Sequence, residues 1–156
     1  MENEKFSYHD IVRSEWVDYN GHMNDAEYAK AFSLAVEAFM NYIGLDEAGR
    51  KTHAYTIFTL ETHLCYLLEA SEGEKLTVTI QLLDGDEKRL HVFFTMKNSD
   101  GNIVATSEQM LMGIDTDKGK AGPFPASVAA VIEKITKTDE ALETPKQAGR
   151  KIGIRR

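Results

Sequence analysis

The feature of this sequence that most constrains its fold is a long segment after residue 24 whose spacing predicts a helix with little polar surface. Its polar side chains fall on one narrow stripe, at spacings of three or four residues: Lys30, Ser33, Glu37 and Asn41. A surface helix normally carries one apolar stripe, whereas this one is apolar or small over most of its circumference. Such a helix has to be covered by other parts of the chain.

Both ends of this helix carry recognisable signals. Asn24 is a favourable N-cap residue, and Glu27 stands three positions later, which predicts a capping box. The apolar pattern ends at Ile43, and Gly44 is a typical residue just beyond a helix C-terminus. The predicted helix therefore runs from Asn24 to about Ile43.

Strand patterns surround this helix. A first strand is predicted over 6–17, and four more follow the helix at 55–66, 75–83, 89–96 and 103–114. Short turns containing Asp-Gly indicate antiparallel hairpins, so the last four strands are expected to form a meander. A short helix over 125–135 follows. The predicted fold class is α+β, with an antiparallel sheet wrapped around one long buried helix, as one domain over 1–156.

Composition narrows the cellular setting. The N-terminus, Met1 to Lys5, is polar, and no run of about 18 apolar residues occurs, so neither a signal peptide nor a membrane span is expected. The single cysteine, Cys65, suits a reducing compartment. We therefore expect a cytoplasmic protein that does not bind membranes.

Charge is distributed unevenly. The tail, residues 146–156, holds five basic and no acidic residues, whereas the other 145 residues carry a net charge of −12. An acidic body argues against a nucleic-acid partner. The tail itself is open to two interpretations: a solvated chain end, or a clamp for the phosphate groups of a ligand.

The loop before the helix is the candidate site. It places a carboxylate, Asp18, three residues before Gly21, with His22 and Asn24 close behind. A helix N-terminus presents unpaired N–H groups that can stabilise an oxyanion, and a nearby carboxylate can attack a carbonyl or activate water. The residues alone leave alternatives open, because Asp18 could cap its own turn and His22 could be structural.

The motif Asp18-x-x-Gly21-His22-x-Asn24, followed by Ala26-x-Tyr28-x-x-x-Phe32, resembles the 4-hydroxybenzoyl-CoA thioesterase branch of the hotdog superfamily. The resemblance implies a single hotdog domain that hydrolyses acyl-CoA thioesters. It implies that Asp18 is the catalytic nucleophile or base and that the oxyanion N–H lies near Asp25. His22 and Asn24 would orient the loop or the water, with Gly21, Tyr19 and Tyr28 around the substrate.

Four further segments, 15–23, 61–63, 86–91 and 148–153, look like those of betainyl-CoA thioesterases of carnitine catabolism. The resemblance implies hydrolysis of betainyl-CoA to glycine betaine and coenzyme A without a cofactor or a metal. It also implies a homodimer or a dimer of dimers. The sequence departs from that family's pattern at the helix start, residues 25–27, where the family is variable.

Glu61 and His63 stand two positions apart on one predicted strand, so they share a face of the sheet. They could point inward to a ligand pocket, with Glu61 binding a cationic acyl group beside aromatic residues such as Trp16, Tyr19 and Tyr66. The alternative is a solvated Glu–His pair.

Three other functions stay open: a generic thioesterase for short or aromatic acyl groups, a hotdog dehydratase, and a non-catalytic acyl-CoA binding protein. The presence of Asp18 and its spacing from Gly21 favour hydrolysis over the last two.

Overall fold

The structure is a computed structural model that describes residues 5–156. Residues 1–4 of the predicted domain lie outside the described residues. They include most of the N-terminal segment in which no signal peptide was expected. The elements, in chain order, are β1 (Ser7–Ile11), a 3-10 helix (Ser14–Trp16), α1 (Asp25–Tyr42), α2 (Glu47–His53), β2 (Tyr55–Tyr66), β3 (Lys75–Gly85), β4 (Arg89–Lys97), β5 (Ile103–Asp115), β6 (Lys120–Ala121) and α3 (Ala126–Asp139).

The five longer strands form an antiparallel sheet in the order β1-β3-β4-β5-β2, and β6 pairs with β5. The sheet curls around α1, which confirms the predicted α+β architecture. One cluster of buried apolar side chains joins the two layers, including Phe32 and Phe39 of α1 with Val92 and Phe94 of β4. We call the face of the sheet that contacts α1 the inner face, and the opposite one the outer face.

The long helix begins and ends where its sequence signals predicted. Its polar stripe is exposed, and Asn24 caps it by accepting a hydrogen bond from the N–H of Ala26 at 3.2 Å. The predicted capping box is wrong in its second half, because the N–H of Asn24 donates to the carbonyl of Trp16 at 2.9 Å and not to the side chain of Glu27. That bond ties the helix start to the preceding 3-10 helix.

The predicted meander of four strands is correct for β3, β4 and β5 and wrong for β2. This strand crosses to the far side of the sheet, where it pairs with β5 from Tyr55↔Asp115 to Tyr66↔Ala105. The first strand is also shorter than predicted, since the chain turns into the 3-10 helix after Ile11. Three short elements were not predicted: that helix, α2 and β6.

After α3 the chain returns across the sheet. Asp139 is buried and accepts a hydrogen bond from the N–H of Leu82 at 2.9 Å, which fills a position on β3 beyond the end of its pairing with β1. The segment that follows, residues 140–149, which we call the strap, then crosses the outer face to β5, where Gly149 donates to Glu108. Among residues 5–156, no helix is both long and apolar enough to cross a membrane.

Candidate active site

The loop that carries Asp18 is closed by its own backbone. Val17 and Met23 form an isolated antiparallel bridge, and the N–H of Asp18 donates to the carbonyl of His22 at 2.9 Å. Gly21 has φ of +76°, a left-handed conformation that L side chains rarely adopt. The glycine therefore lets the chain reverse within six residues and holds the start and end of the loop together.

The carboxylate of Asp18 has one oxygen that supports the loop and one that does not. Oδ1 accepts hydrogen bonds from the N–H groups of Asn20 at 2.9 Å and His22 at 3.3 Å. Oδ2 has no hydrogen-bond partner among the described residues, and the side chain is exposed. Asp18 thus does cap its own turn, as one interpretation of the sequence held, but that role leaves an oxygen available to a ligand.

A distant segment, the connection between β2 and β3, completes the loop. The N–H of Met23 donates to the carbonyl of Ala70 at 2.8 Å, and the N–H of Glu72 donates to that of Gly21 at 3.1 Å. His22 pairs with Ser71 through an isolated bridge, and its Nδ1 lies 3.4 Å from a carboxylate oxygen of Glu69. The imidazole of His22 is therefore turned toward Glu69.

The first N–H of α1 is free in this arrangement. The N–H of Ala26 is taken by the side chains of Asn24 and Asp25, and that of Glu27 donates to the carbonyl of Asn24. Within the described part of the chain, the N–H of Asp25 has no acceptor. It stands at the positive end of the helix dipole, where a negatively charged oxygen is stabilised.

Two tyrosines frame this helix end. The hydroxyl of Tyr66, on β2, donates to the carbonyl of Asp25 at 3.3 Å, and its ring lies edge-on to that of Tyr28 with 5.3 Å between centroids. Burial raises the pKa of both hydroxyls, and the nearby carboxylate of Asp25 adds to the effect at Tyr66. Both hydroxyls therefore stay protonated at neutral pH and act as donors.

The two aromatic residues near Asp18 in the sequence differ in how far they are exposed to solvent. Tyr19 is 96% exposed, whereas Trp16 is buried in the core with the guanidinium of Arg13 over its ring at 4.6 Å. Trp16 cannot offer its face to a ligand in this arrangement. Tyr28 is also buried, at 4% exposure, so the exposed aromatic surface near the loop comes from Tyr19 and Tyr66.

Glu61 and His63 do not join this group. Both lie on the outer face, because their neighbours Thr62 and Leu64 line a cavity beside α1. His63 is paired in register with Glu108 of β5, whose carboxylate bonds to His91. Of the two interpretations that the sequence left open, the structure of this chain does not have the inward one, because both side chains face away from α1.

The inner cavity lies between α1 and β2 and has a volume of about 440 Å³. Its walls are apolar with a few hydroxyl and amide groups, from Ala29, Phe32, Ser33, Val36, Thr59, Thr62, Leu64 and Gln109. It begins at Ala29, about 6 Å along the helix axis from Asp25. Gln109 donates to Ser107 at 3.0 Å, but its Oε1 is buried without a partner among the described residues.

Sequence reasoning missed the connection that holds the loop. Four contacts with residues 21–23 come from Glu69, Ala70, Ser71 and Glu72, yet nothing in their own segment marks them. Their role depends on pairing between segments about 50 residues apart, which local patterns do not encode.

What the arrangement can do chemically follows from three groups. A carboxylate with a free oxygen stands in a rigid loop, a free N–H lies seven residues later at a helix N-terminus, and an apolar cavity begins one helical turn beyond. A carboxylate and an oxyanion-stabilising N–H are the groups needed to add a nucleophile to a carbonyl.

Comparisons with known proteins agree with this chemistry. Residues 12–132 match the family described as the thioesterase-like superfamily. A betainyl-CoA thioesterase from Pseudomonas aeruginosa is 42% identical over 95% of this chain and 94% of its own length. An L-carnitine dehydrogenase/betainyl-CoA thioesterase from Rhizobium meliloti is 41% identical over 93% of this chain, which spans only 29% of that longer protein.

Among solved structures, a hypothetical protein from Staphylococcus aureus in complex with CoA superposes with a TM-score of 0.92 at 40% identity, covering 99% of this chain and 98% of that one. The family match covers most of the chain, and these relatives each cover more than nine tenths of it. By its sequence and its fold, this chain belongs to the thioesterase-like, hotdog superfamily.

Proposed function

We propose that this protein is an acyl-CoA thioesterase that hydrolyses betainyl-CoA to glycine betaine and coenzyme A, as a step of carnitine degradation. The observation that carries the proposal is that the loop has a free carboxylate oxygen on Asp18 and that the helix it leads into has a free N–H on Asp25. The relative from Pseudomonas aeruginosa named betainyl-CoA thioesterase supports the choice of substrate.

In the proposed reaction the thioester carbonyl oxygen accepts a hydrogen bond from the N–H of Asp25. Asp18 either attacks the carbonyl carbon, or removes a proton from a water molecule that attacks it. The C–S bond then breaks, and the coenzyme A sulfur leaves as a thiolate that takes up a proton. If Asp18 attacks directly, water hydrolyses the resulting mixed anhydride and restores the carboxylate. A thioester carbonyl is already activated, so the mechanism uses no metal or cofactor.

The other loop residues position these two groups. His22 and Gly21 hold the reversal of the chain that presents Asp18, and Asn24 fixes the first turn of α1 through the N–H of Ala26. Tyr66 donates to the carbonyl of Asp25 and so fixes the same peptide segment from β2. Tyr19 and Tyr28 are proposed to lie around the substrate. The face that can attract its quaternary ammonium group is that of Tyr19, which is exposed.

A CoA-release assay with Asp18→Asn tests the catalytic assignment. The change is nearly isosteric, keeps Oδ1 as an acceptor for the loop, and removes the base and nucleophile, so we expect kcat to fall about 10²-fold or more with an unchanged melting temperature. Asp117→Asn, in an exposed turn, is the matched control and should retain full activity. Near-wild-type turnover of Asp18→Asn would remove Asp18 from the mechanism.

A panel of acyl-CoA substrates tests the acyl group. We expect kcat/KM for betainyl-CoA to be at least about tenfold higher than kcat/KM for its neutral isostere, the tert-butylacetyl thioester. This ratio corresponds to about 1.4 kcal/mol. Equal values would leave a generic thioesterase for short or aromatic acyl groups. Tight CoA-ester binding without turnover would instead favour the non-catalytic binding protein.

We also propose that two copies pair along β2, as a homodimer or within a dimer of dimers. β2 is the last strand of the sheet, and Phe58 and Leu60 on it are about half exposed. A long strand edge with apolar side chains needs a partner, and a second copy there would also cover the neighbouring cavity. Sedimentation equilibrium at micromolar concentration should give at least twice 17.5 kDa, and a mass of one chain would contradict the pairing.

The whole of residues 1–156 is proposed to act as one hotdog domain in the cytoplasm. Cys65 is a free thiol, as suits a reducing compartment, and the proposed substrate is a coenzyme A ester.

A further inference from the structure

The strap, which leads into the basic tail, is held to the sheet by two hydrogen bonds, one at Glu143 and one at Gly149. The side-chain amide of Gln81, on β3, donates to the carbonyl of Glu143 at 3.1 Å. The N–H of Gly149 donates to Oε1 of Glu108, on β5, at 2.8 Å. The other oxygen of that carboxylate lies 2.6 Å from Nε2 of His91, which holds Glu108 in place.

A buried aromatic side chain lies between the positions of the two tethers. Phe93 of β4 is paired in register with Gln81 on one side and Glu108 on the other, so it lies on the outer face between the tethers. It is only 2% exposed although that face points away from the core. The strap is therefore held to the sheet at two points, and the chain after Gly149 starts from a fixed point.

That remaining segment, residues 150–156, which we call the tip, is unusually cationic. It carries Arg150, Lys151, Arg155 and Arg156 and no acidic side chain, on a protein whose other residues are strongly acidic. All four side chains are exposed, and no ion pair involves them within residues 5–156. A cationic segment held beside an acidic body without pairing to it is free to bind an external anion.

The tip also carries two apolar side chains that nothing covers. Ile152 is 92% exposed and Ile154 is 81% exposed, and each is separated from basic residues by at most two positions. Cations interleaved with aliphatic side chains match a ligand that combines several phosphates with a flat apolar ring. A nucleotide bearing more than one phosphate has this chemistry.

We propose that the tip is the binding site for the phosphorylated adenosine portion of coenzyme A, presented by the tethered strap. The arginine and lysine side chains bind the phosphate oxygens, and Ile152 and Ile154 pack against the adenine. The choice of ligand rests on the proposed function, which makes a coenzyme A ester the substrate. The inference goes further, because it assigns affinity for the nucleotide to residues that take no part in the chemistry at Asp18.

The test is a double charge reversal in the tip, Arg155→Glu with Arg156→Glu, neither of which forms a tether. The matched control is Lys51→Glu with Lys118→Glu, two exposed lysines in α2 and in the turn before β6, which changes the net charge by the same amount. Each protein is assayed with betainyl-CoA and with the betainyl N-acetylcysteamine thioester, which lacks the nucleotide. Calorimetry measures binding of adenosine 3′,5′-bisphosphate, which needs no hydrolysis.

We expect the tip variant to raise KM for betainyl-CoA about tenfold with kcat unchanged, and to weaken nucleotide binding by a similar factor. The N-acetylcysteamine thioester and the control variant should behave as in the wild type. Equal KM and equal nucleotide affinity in the tip and control variants would overturn the inference. If no thioester is hydrolysed but the tip variant still loses nucleotide affinity, the proposed function fails and the tip site stands.

Discussion

Replacing Glu108 by alanine should release the strap from the outer face of the sheet. The carboxylate accepts the N–H of Gly149 at 2.8 Å and faces Nε2 of His91 at 2.6 Å. A hydrogen bond to a charged group contributes roughly 1.5–3 kcal/mol, and partial exposure of His91 reduces the second contact. We expect a loss of about 2 kcal/mol, or about 4–8 °C in Tm for a chain of this size.

The effect should depend on pH in a defined direction. Burial acts to raise the pKa of the Glu108 carboxyl, but the Gly149 N–H, His91 and His63 outweigh it and hold this pKa below its ordinary value. The charged form is therefore the stabilising one. Its contribution is fully present above the pKa of the unfolded chain, about 4.3, and is lost as the pH falls through the lower pKa of the folded protein.

Two assays check this prediction. Thermal unfolding of the wild type and Glu108→Ala, measured from neutral pH down to about pH 3, should show a difference in Tm that is constant above about pH 4.3 and shrinks below it. Trypsin should cleave after Lys146 and Arg150 faster in the variant, since the strap is no longer held. Glu133→Ala, which removes only an exposed pair with Lys137, is the control and should change stability by less than about 0.5 kcal/mol. An unchanged Tm together with wild-type cleavage would refute the tether.

Two further substitutions test contacts that stabilise the fold. Gly113→Ala would bring a Cβ into overlap with the hydroxyl of Tyr55, which donates to the carbonyl of Gly122 at 2.7 Å, so we expect a loss of about 1–3 kcal/mol in urea unfolding. Asp139→Ala would leave the buried N–H of Leu82 without its acceptor, for a loss of about 1.5–3 kcal/mol; an unchanged unfolding midpoint would contradict the edge-capping role.

The helix and the strands were predictable because their patterns are local. The stripe on α1 and the alternation in β3 placed their bounds within about two residues of those observed. The position of β2 was not predictable in this way, since short turns favour neighbouring strands and nothing in 55–66 specifies β5 as its partner. The connection from β2 to β3 is eight residues long. It forms hydrogen bonds with the loop of Asp18 and is not a hairpin turn.

The face occupied by Glu61 and His63 shows a second limit. Alternation correctly predicted that the two side chains share a face. It could not say which one, because the inner face of this sheet is itself partly polar: Thr62, Ser107 and Gln109 all lie on it. Polarity therefore did not distinguish inside from outside, and only the register with β5 decided it.

The connection between β2 and β3 also sets when the loop of Asp18 can become ordered during folding. Met23 and Gly21 form hydrogen bonds with Ala70 and Glu72, so the loop lacks these partners until a segment about 50 residues downstream has docked. Closing a loop of this length costs entropy before the new contacts offset it, so we expect these hydrogen bonds to form late in folding. In the native protein the same bonds mean that the amide of Met23 exchanges with solvent only when it separates from Ala70, so proton exchange there reports on the connection as much as on the loop.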